Sequence, residues 1–215
     1  MLVYIVYAHP RHDCLTGDLL DAFVGGLTQA GHQHTISDLY RMGFNPVLSQ
    51  AEYERESRFD AGSQVSADVA AEQAKLDAAD VWAFVYPVWW TDCPAILKGW
   101  FDRVWAVGWA YNKTSTNPAE ARLAHGPGAA SPTKKALVLC TAGNPENELR
   151  ESGCLQAMKT VMLGDRINDR TDQAEFHLFA GSTAATAEDR QALRQHHLAV
   201  ARNLGVKLLG EQTSR

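Results

Sequence analysis

Leu2-Val-Tyr-Ile-Val-Tyr-Ala8 is an unbroken apolar run that stops at the polar stretch His9-Pro-Arg-His-Asp13. A run this short, rich in β-branched and aromatic residues and with no polar alternate, is a strand buried on both faces, the environment of a parallel sheet covered by helices. The helix that must follow is readable directly downstream. Leu19, Phe23 and Leu27 recur every four residues with Leu20 and Val24 beside them, Thr16 is placed to cap the start and Gly31 the end. The alternation continues outward: Gln33 to Leu39 is a second, shorter strand, and Ser66 to Asp80 is a helix with Val69, Gln73, Leu76 and Ala79 at helical spacing. Val81-Trp-Ala-Phe-Val-Tyr86 is a third strand stopped by Pro87. Pro94 then opens a helix bearing Ile96, Leu97, Trp100, Phe101, Val104 and Trp105. Ala136 to Thr141 and Glu175 to Ala180 are the fourth and fifth strands, and Ala187 to Leu209 is a helix with Leu193, Val200, Leu204 and Leu208 on one stripe. Five strands alternating with helices define an α/β chain with a doubly wound five-stranded parallel sheet. The polar stretch from Ser49 through Gly62 receives no assignment. Gly126-Pro-Gly-Ala-Ala-Ser-Pro132 is expected to be a flexible loop ahead of the fourth strand.

With 215 residues, 46% of them apolar and 21% charged, the composition is that of one globular domain over residues 1–215. A net charge of −5 offers no basic face for nucleic acid. The first strand lacks a basic leader and a small-residue cleavage site, so it does not read as a signal peptide, and no apolar run reaches the length of a membrane helix. Cys14, Cys93, Cys140 and Cys154 lie far apart with no C-x-x-C pair, which suggests neither a zinc knuckle nor a disulfide framework and fits a reducing cytoplasm.

In a doubly wound sheet ligands sit at the carboxyl ends of the strands. Three loops there are unusual. His9-Pro-Arg-His-Asp-Cys-Leu-Thr16 leads into a helix N-terminus, where backbone N–H groups and the helix dipole favour a phosphate and His9, Arg11 and Thr16 can add donors. The loop has no G-x-G-x-x-G and no G-x-x-x-x-G-K-[ST], which argues against a dinucleotide held in the Rossmann manner and against an ATPase. After the third strand comes Pro87-Val-Trp-Trp-Thr-Asp-Cys-Pro94. All six tryptophans fall between Trp82 and Trp109; Trp82, Trp100 and Trp105 read as core, whereas Trp89 and Trp90 sit on a loop and call for a flat ligand or a partner subunit. Thr141-Ala-Gly-Asn-Pro145 follows the fourth strand, small enough for close backbone approach and equally consistent with a plain turn. His32, His34 and the His196-His197 pair lack converging ligands and imply no metal site. There is no G-x-S-x-G and no H-E-x-x-H, so those hydrolase readings fail.

Asp38-Leu-Tyr40 with Phe44-Asn-Pro46, Asp68-Val-Ala-Ala-Glu-Gln73, Tyr86-Pro87 with Trp90, Pro94-Ala-Ile-Leu-Lys-Gly-Trp-Phe-Asp-Arg-Val104 and Gly108-Trp-Ala-Tyr111 together resemble the flavin-dependent NAD(P)H quinone oxidoreductases with a flavodoxin-like fold. The run from Pro94 to Val104 is the specific part, and the likeness fades after Gly143. The resemblance implies a tightly bound flavin, with FAD favoured and FMN the other candidate, a visiting NAD(P)H, a quinone-like acceptor, and a homodimer with two sites at the subunit interface. Carried onto this sequence, it places His9 and Thr16 at the flavin phosphates, Pro87, Val88, Trp89 and Trp90 along the isoalloxazine, and Thr141, Ala142 and Gly143 at its polar edge. Trp90 and Tyr111 would wall the acceptor pocket.

The departures bear on mechanism. Trp89 stands where relatives commonly have Gln, and Asn144 to Cys154 holds neither the Tyr nor the His that longer members carry there. No catalytic side chain is identified, and charge developing at the flavin would be met by backbone N–H groups of the Thr141 loop or by a residue the sequence does not reveal. The implied reaction is ping-pong hydride transfer from NAD(P)H through flavin to the acceptor. The alternatives are an azo-, nitro- or flavin reductase, and a flavodoxin-like electron carrier or regulatory flavoprotein. The surplus aromatic surface from Trp105 to Tyr111, more than one helix face can bury, independently points to a dimer contact.

Overall fold

A computed structural model describes residues 1–113, 123–125, 134–183 and 186–208. In chain order the elements are β1 (Leu2–Tyr7), α1 (Leu15–Gln29), β2 (Gln33–Asp38), α2 (Gln50–Arg58), α3 (Ala67–Ala78), β3 (Val81–Pro87), α4 (Ala95–Val104), β4 (Tyr111–Lys113), β5 (Leu123–His125), β6 (Lys135–Thr141), α5 (Glu146–Glu151), α6 (Cys154–Lys159), a π-helical segment (Thr160–Ile167), a 3₁₀ turn (Asn168–Arg170), β7 (Gln173–Phe179) and α7 (Ala187–Lys207). Five strands form one parallel sheet in the order β2-β1-β3-β6-β7. The chain winds from β1 out to β2, then crosses back to β3 on the other side of β1. That reversal opens a crevice at the carboxyl ends of β1 and β3.

Alternation along the strands divides the core. Val3, Ile5 and Tyr7 with Val81, Ala83, Val85, Leu137 and Leu139 face α1 and α7. Tyr4 and Val6 with Trp82, Phe84, Tyr86, Val138 and Cys140 face α4 and the Leu76 end of α3. Trp82 and Trp100 are fully buried, as their positions in a strand and on a helix stripe predict. On the first face α1 and α7 touch backbone to backbone: a Cβ on Gly26 would lie 2.0 Å from the Arg202 carbonyl oxygen, and one on Gly205 would lie 2.2 Å from that of Phe23. On the second face the buried Glu72 carboxylate accepts from the Tyr4 hydroxyl, Trp100 Nε1 at 2.8 Å and Ser37 Oγ at 3.1 Å, and pairs with Lys75. A carboxylate at this depth persists only with such a full set of donors.

Several boundaries differ from the sequence expectation. The unassigned stretch after Ser49 contains α2, started by a capping box in which Ser49 Oγ accepts from the Glu52 N–H and the Glu52 carboxylate accepts from the Ser49 N–H. Arg103 orders this connection from within the fold, binding Asp68 at 2.6 and 3.1 Å, Glu52 at 2.8 Å and the Asn45 carbonyl at 2.8 Å. Thr16 does not cap α1. Cys14 holds the N-cap position without a side-chain hydrogen bond, and Thr16 lies inside the first turn. β4 and β5 form a small antiparallel pair apart from the main sheet. The expected loop 126–132 lies outside the described residues, as does Leu209 at the expected end of α7. Among the described residues no helix is long and apolar enough to cross a membrane.

Candidate functional site

Thr141 ties together the carboxyl ends of β3 and β6 and the amino end of α1. Its carbonyl accepts the Val88 N–H at 2.7 Å, joining β3 to β6, and its hydroxyl meets the Thr16 hydroxyl at 2.9 Å, joining β6 to α1. Both hydroxyls are buried against one another, so the Thr16 side chain is not turned out to solvent. The loop from His9 to Asp13 folds back on this helix start: Tyr7 donates to the Arg11 carbonyl at 2.9 Å, the Arg11 N–H donates to His9 Nδ1 at 3.0 Å, and the Cys14 N–H donates to the His12 carbonyl at 2.8 Å. A Cβ on Gly17 would lie 1.8 Å from that His12 carbonyl oxygen, so only glycine admits this approach. The Arg11–Asp13 pair is largely solvated and contributes little. With no side-chain cap, the first-turn N–H groups of Leu15, Thr16 and Gly17 have no intrahelical acceptor at the helix start that follows β1.

The loop after β3 is a two-residue turn. The Trp89 N–H donates to the Asp92 carbonyl at 2.9 Å and the Asp92 N–H returns to the Trp89 carbonyl at 3.1 Å, with Trp90 and Thr91 at φ of +52° and +63° between them. Two consecutive left-handed residues make a type I′ turn, where Asn-Gly is the usual sequence. Trp90 is 101% exposed and Trp89 42% exposed. The Trp89 ring stands 6.3 Å from that of His9, tilted by 57°, which brings the β1 and β3 loops together. Asp92 makes two bonds to the buried Arg166 of the π-helical segment, and although burial pushes its carboxyl up, that guanidinium holds it below the usual carboxylate range. Burial pushes the neighbouring Cys93 thiol up to about 12.

The loop after β6 completes the rim. The Ala142 N–H is taken by the Phe179 carbonyl at 3.1 Å, and the Gly143 carbonyl accepts from the Thr183 hydroxyl at 2.8 Å. The N–H of Gly143 has no acceptor among the described residues. A cavity of about 380 Å³ opens between Val88, Trp90, Thr91, Ala142, Gly143 and Leu149. A second, of about 360 Å³, lies between Leu15 at the start of α1 and Arg190 and Arg194 of α7. Cys154 lines the first cavity, its thiol drawn below the ordinary range by hydrogen bonds with Ser152 and Thr91.

His9, Pro87, Val88, Trp89, Trp90, Thr141, Ala142 and Gly143 thus share one rim. Tyr111 does not join them within a single chain: its hydroxyl donates to Glu56 at 2.7 Å and its ring meets Phe59 edge-on at 6.2 Å, which holds it toward α2. Sequence reasoning missed Asp92 and Arg166 altogether.

This arrangement is that of a known class. The family model described as flavodoxin-like fold matches residues 1–202, and the chain belongs to that family, within it to the flavodoxin-like NAD(P)H quinone oxidoreductases. An NAD(P)H:quinone oxidoreductase from Methanothermobacter marburgensis is 38% identical and superposes with a TM-score of 0.83, over 100% of this chain and 99% of that one. The uncharacterized NAD(P)H oxidoreductase YcaK of Escherichia coli is 39% identical over 109 residues, which are 51% of this chain and 55% of that protein. The ribosyldihydronicotinamide dehydrogenase-like protein traD of Penicillium crustosum is 33% identical over 175 residues, 76% of this chain and 65% of that protein. The chain therefore spans between about half and two thirds of the length of these curated relatives.

Proposed function

We propose that the protein is a flavin-dependent NAD(P)H:quinone oxidoreductase. The observation that carries the reading is the meeting, at the β1–β3 crevice, of an uncapped helix N-terminus with an exposed pair of tryptophans. The first suits a phosphate and the second a flat ring, the two ends of one flavin. When bound there, a flavin supplies the hydride chemistry, accepting from NAD(P)H and giving to a quinone or similarly flat acceptor.

The chain's own residues bind and orient. The Leu15, Thr16 and Gly17 N–H groups, with His9 beside them, receive the phosphate. Pro87, Val88, Trp89 and Trp90 form the wall for the ring system. Since the Ala142 N–H is already used, the Gly143 N–H is the donor for negative charge at the ring's polar edge. The cavity beside Leu15, flanked by Arg190 and by Arg194 in its pair with Asp18, adjoins the helix start and offers room and positive charge for a second phosphate, which supports FAD over FMN. A homodimer would bring a Tyr111 from the partner toward the open Trp90 and so complete an acceptor pocket. Four free cysteines suit a reducing cytoplasm.

The absorption spectrum of the purified protein, with mass analysis of the released cofactor, tests the reading. A flavin spectrum with FAD released is expected. A colourless protein that takes up neither FAD nor FMN refutes it. The complete exposure of Trp90 in one chain favours a second reading, an electron carrier with an open flavin edge. Light scattering at low micromolar concentration separates the two, since a stable monomer leaves that edge open.

A further inference from the structure

We propose that Arg166 is a positioning residue which, by gripping Asp92, holds the Trp90–Thr91 turn in the left-handed conformation that presents Trp90 to flavin and acceptor. The inference rests on the flavin reading above and gives a role to the segment between β6 and β7.

A type I′ turn asks for two left-handed residues, which Asn and Gly accept and bulky or β-branched residues resist. Here Trp90 has φ +52° and Thr91 has φ +63°. A β-branched residue in this region is a genuine outlier, and such strain persists only where the surroundings over-determine it. The two main-chain hydrogen bonds between Trp89 and Asp92 close the turn but are shared by any hairpin. What is particular to this chain is the side chain at the turn's exit. Asp92 Oδ1 accepts from Arg166 Nη1 at 2.8 Å and from the Cys93 N–H at 2.7 Å, while Oδ2 accepts from Arg166 Nη2 at 3.0 Å. The paired parallel bonds fix the carboxylate plane as well as its position.

The grip is firm because Arg166 cannot itself move. Its side chain is only 6% exposed against 45% for Asp92. Nη1 also lies 3.2 Å from Met162 Sδ and 3.3 Å from Cys93 Sγ, the guanidinium stacks 5.3 Å from the Phe101 ring, and the main-chain carbonyl accepts from Trp105 Nε1. It sits near the end of the π-helical segment, a rare geometry that recurs at functional sites. A lysine would keep the charge but lose the planar fork.

The test uses the full chain with added FAD or FMN. Flavin dissociation constants are taken from fluorescence quenching, kcat and KM from steady-state turnover of NADPH with a soluble naphthoquinone, and Tm from the flavin-free protein. Asp92→Asn and Arg166→Lys should each raise the flavin dissociation constant or the quinone KM about tenfold or more. Thr91→Gly removes the demand for a clamp, so adding it to Asp92→Asn should bring both constants back to within about threefold of wild type. If both single variants bind flavin and turn over quinone as wild type does, or if Tm falls with those constants unmoved, the clamp has no positioning role. Constants that rise and are not rescued by Thr91→Gly also overturn it. If the wild-type protein binds no flavin, the functional reading fails first and takes this inference with it; wild-type binding with unaffected variants sinks the inference alone.

Discussion

Replacing Gly17 by alanine would set a methyl carbon 1.8 Å from the His12 carbonyl oxygen, where about 3.0 Å is the closest that real side chains show. The obstacle is backbone, so it cannot swing aside like a side-chain tip. Either α1 or the His9–Asp13 loop must retreat by roughly 1 Å, and α1 is fixed by its contact with α7. The loop therefore yields. Overpacking of this kind costs about 1–3 kcal/mol, and at roughly 2–4 °C per kcal/mol for a chain of this size the melting temperature should fall by about 2–12 °C. The same retreat pulls the His12 carbonyl off the Cys14 N–H and shifts His9, so flavin binding should weaken by more than the stability loss alone explains. Thermal unfolding of the flavin-free protein and a flavin titration measure the two effects separately. Gly62→Ala, which meets nothing closer than an Asp60 carboxylate oxygen at 3.4 Å, is the control and should change neither. A Gly17→Ala protein that melts and binds flavin as wild type does would show that the loop does not build the phosphate site.

Trp100→Ala should cost about 3–5 kcal/mol, since it empties a buried site and takes a donor from Glu72. Trp90→Ala should leave the melting temperature nearly unchanged while lowering flavin retention or acceptor turnover, and the reverse pattern would place the site on the wrong element. Asp68, held down to about 2 by hydrogen bonds from Arg103, has a folded pKa below its unfolded value. Its stabilising contribution is therefore complete above about pH 4 and lost as pH falls toward 2; a melting curve against pH should flatten over that window in Asp68→Asn. If the proposed function holds, NAD(P)H and acceptor are expected to use one cavity in turn, since the sequence carries no dinucleotide fingerprint. Double-reciprocal plots should be parallel with mutual competitive inhibition, and intersecting lines with both substrates bound at once would contradict the shared site.

β1, β3 and β6 were legible because burial on both faces leaves unbroken apolar runs, and Leu2 to Ala8 needs no tertiary information to be recognised. α4 was legible from a different signal, the one-sided apolar stripe of Leu97, Trp100, Phe101 and Val104. α2 was not, because none of its residues is buried and its only signal is local, the Ser49-x-x-Glu52 box. Thr16 illustrates a second limit: its hydroxyl partner is Thr141, 125 residues away, and local spacing reads it as a cap. Asp92 and Arg166 are 74 residues apart in a similar relation, with nothing near either to announce the other. Leu155, Met158 and Met162 do show helical spacing, a signal present in the sequence for the segment left blank. β4 and β5, at three residues each, are shorter than any periodicity can reveal.

The glycine contact between α1 and α7 also bears on how the chain is made. α7 is translated after every strand of the sheet, yet it closes the face that β1, β3 and β6 share with α1. Until it leaves the ribosome, α1 alone covers that face, and the side of α1 around Phe23, Gly26 and Leu27 that meets α7 stays open, so the nascent chain carries a partly uncovered apolar flank, prone to sticking, through most of its synthesis.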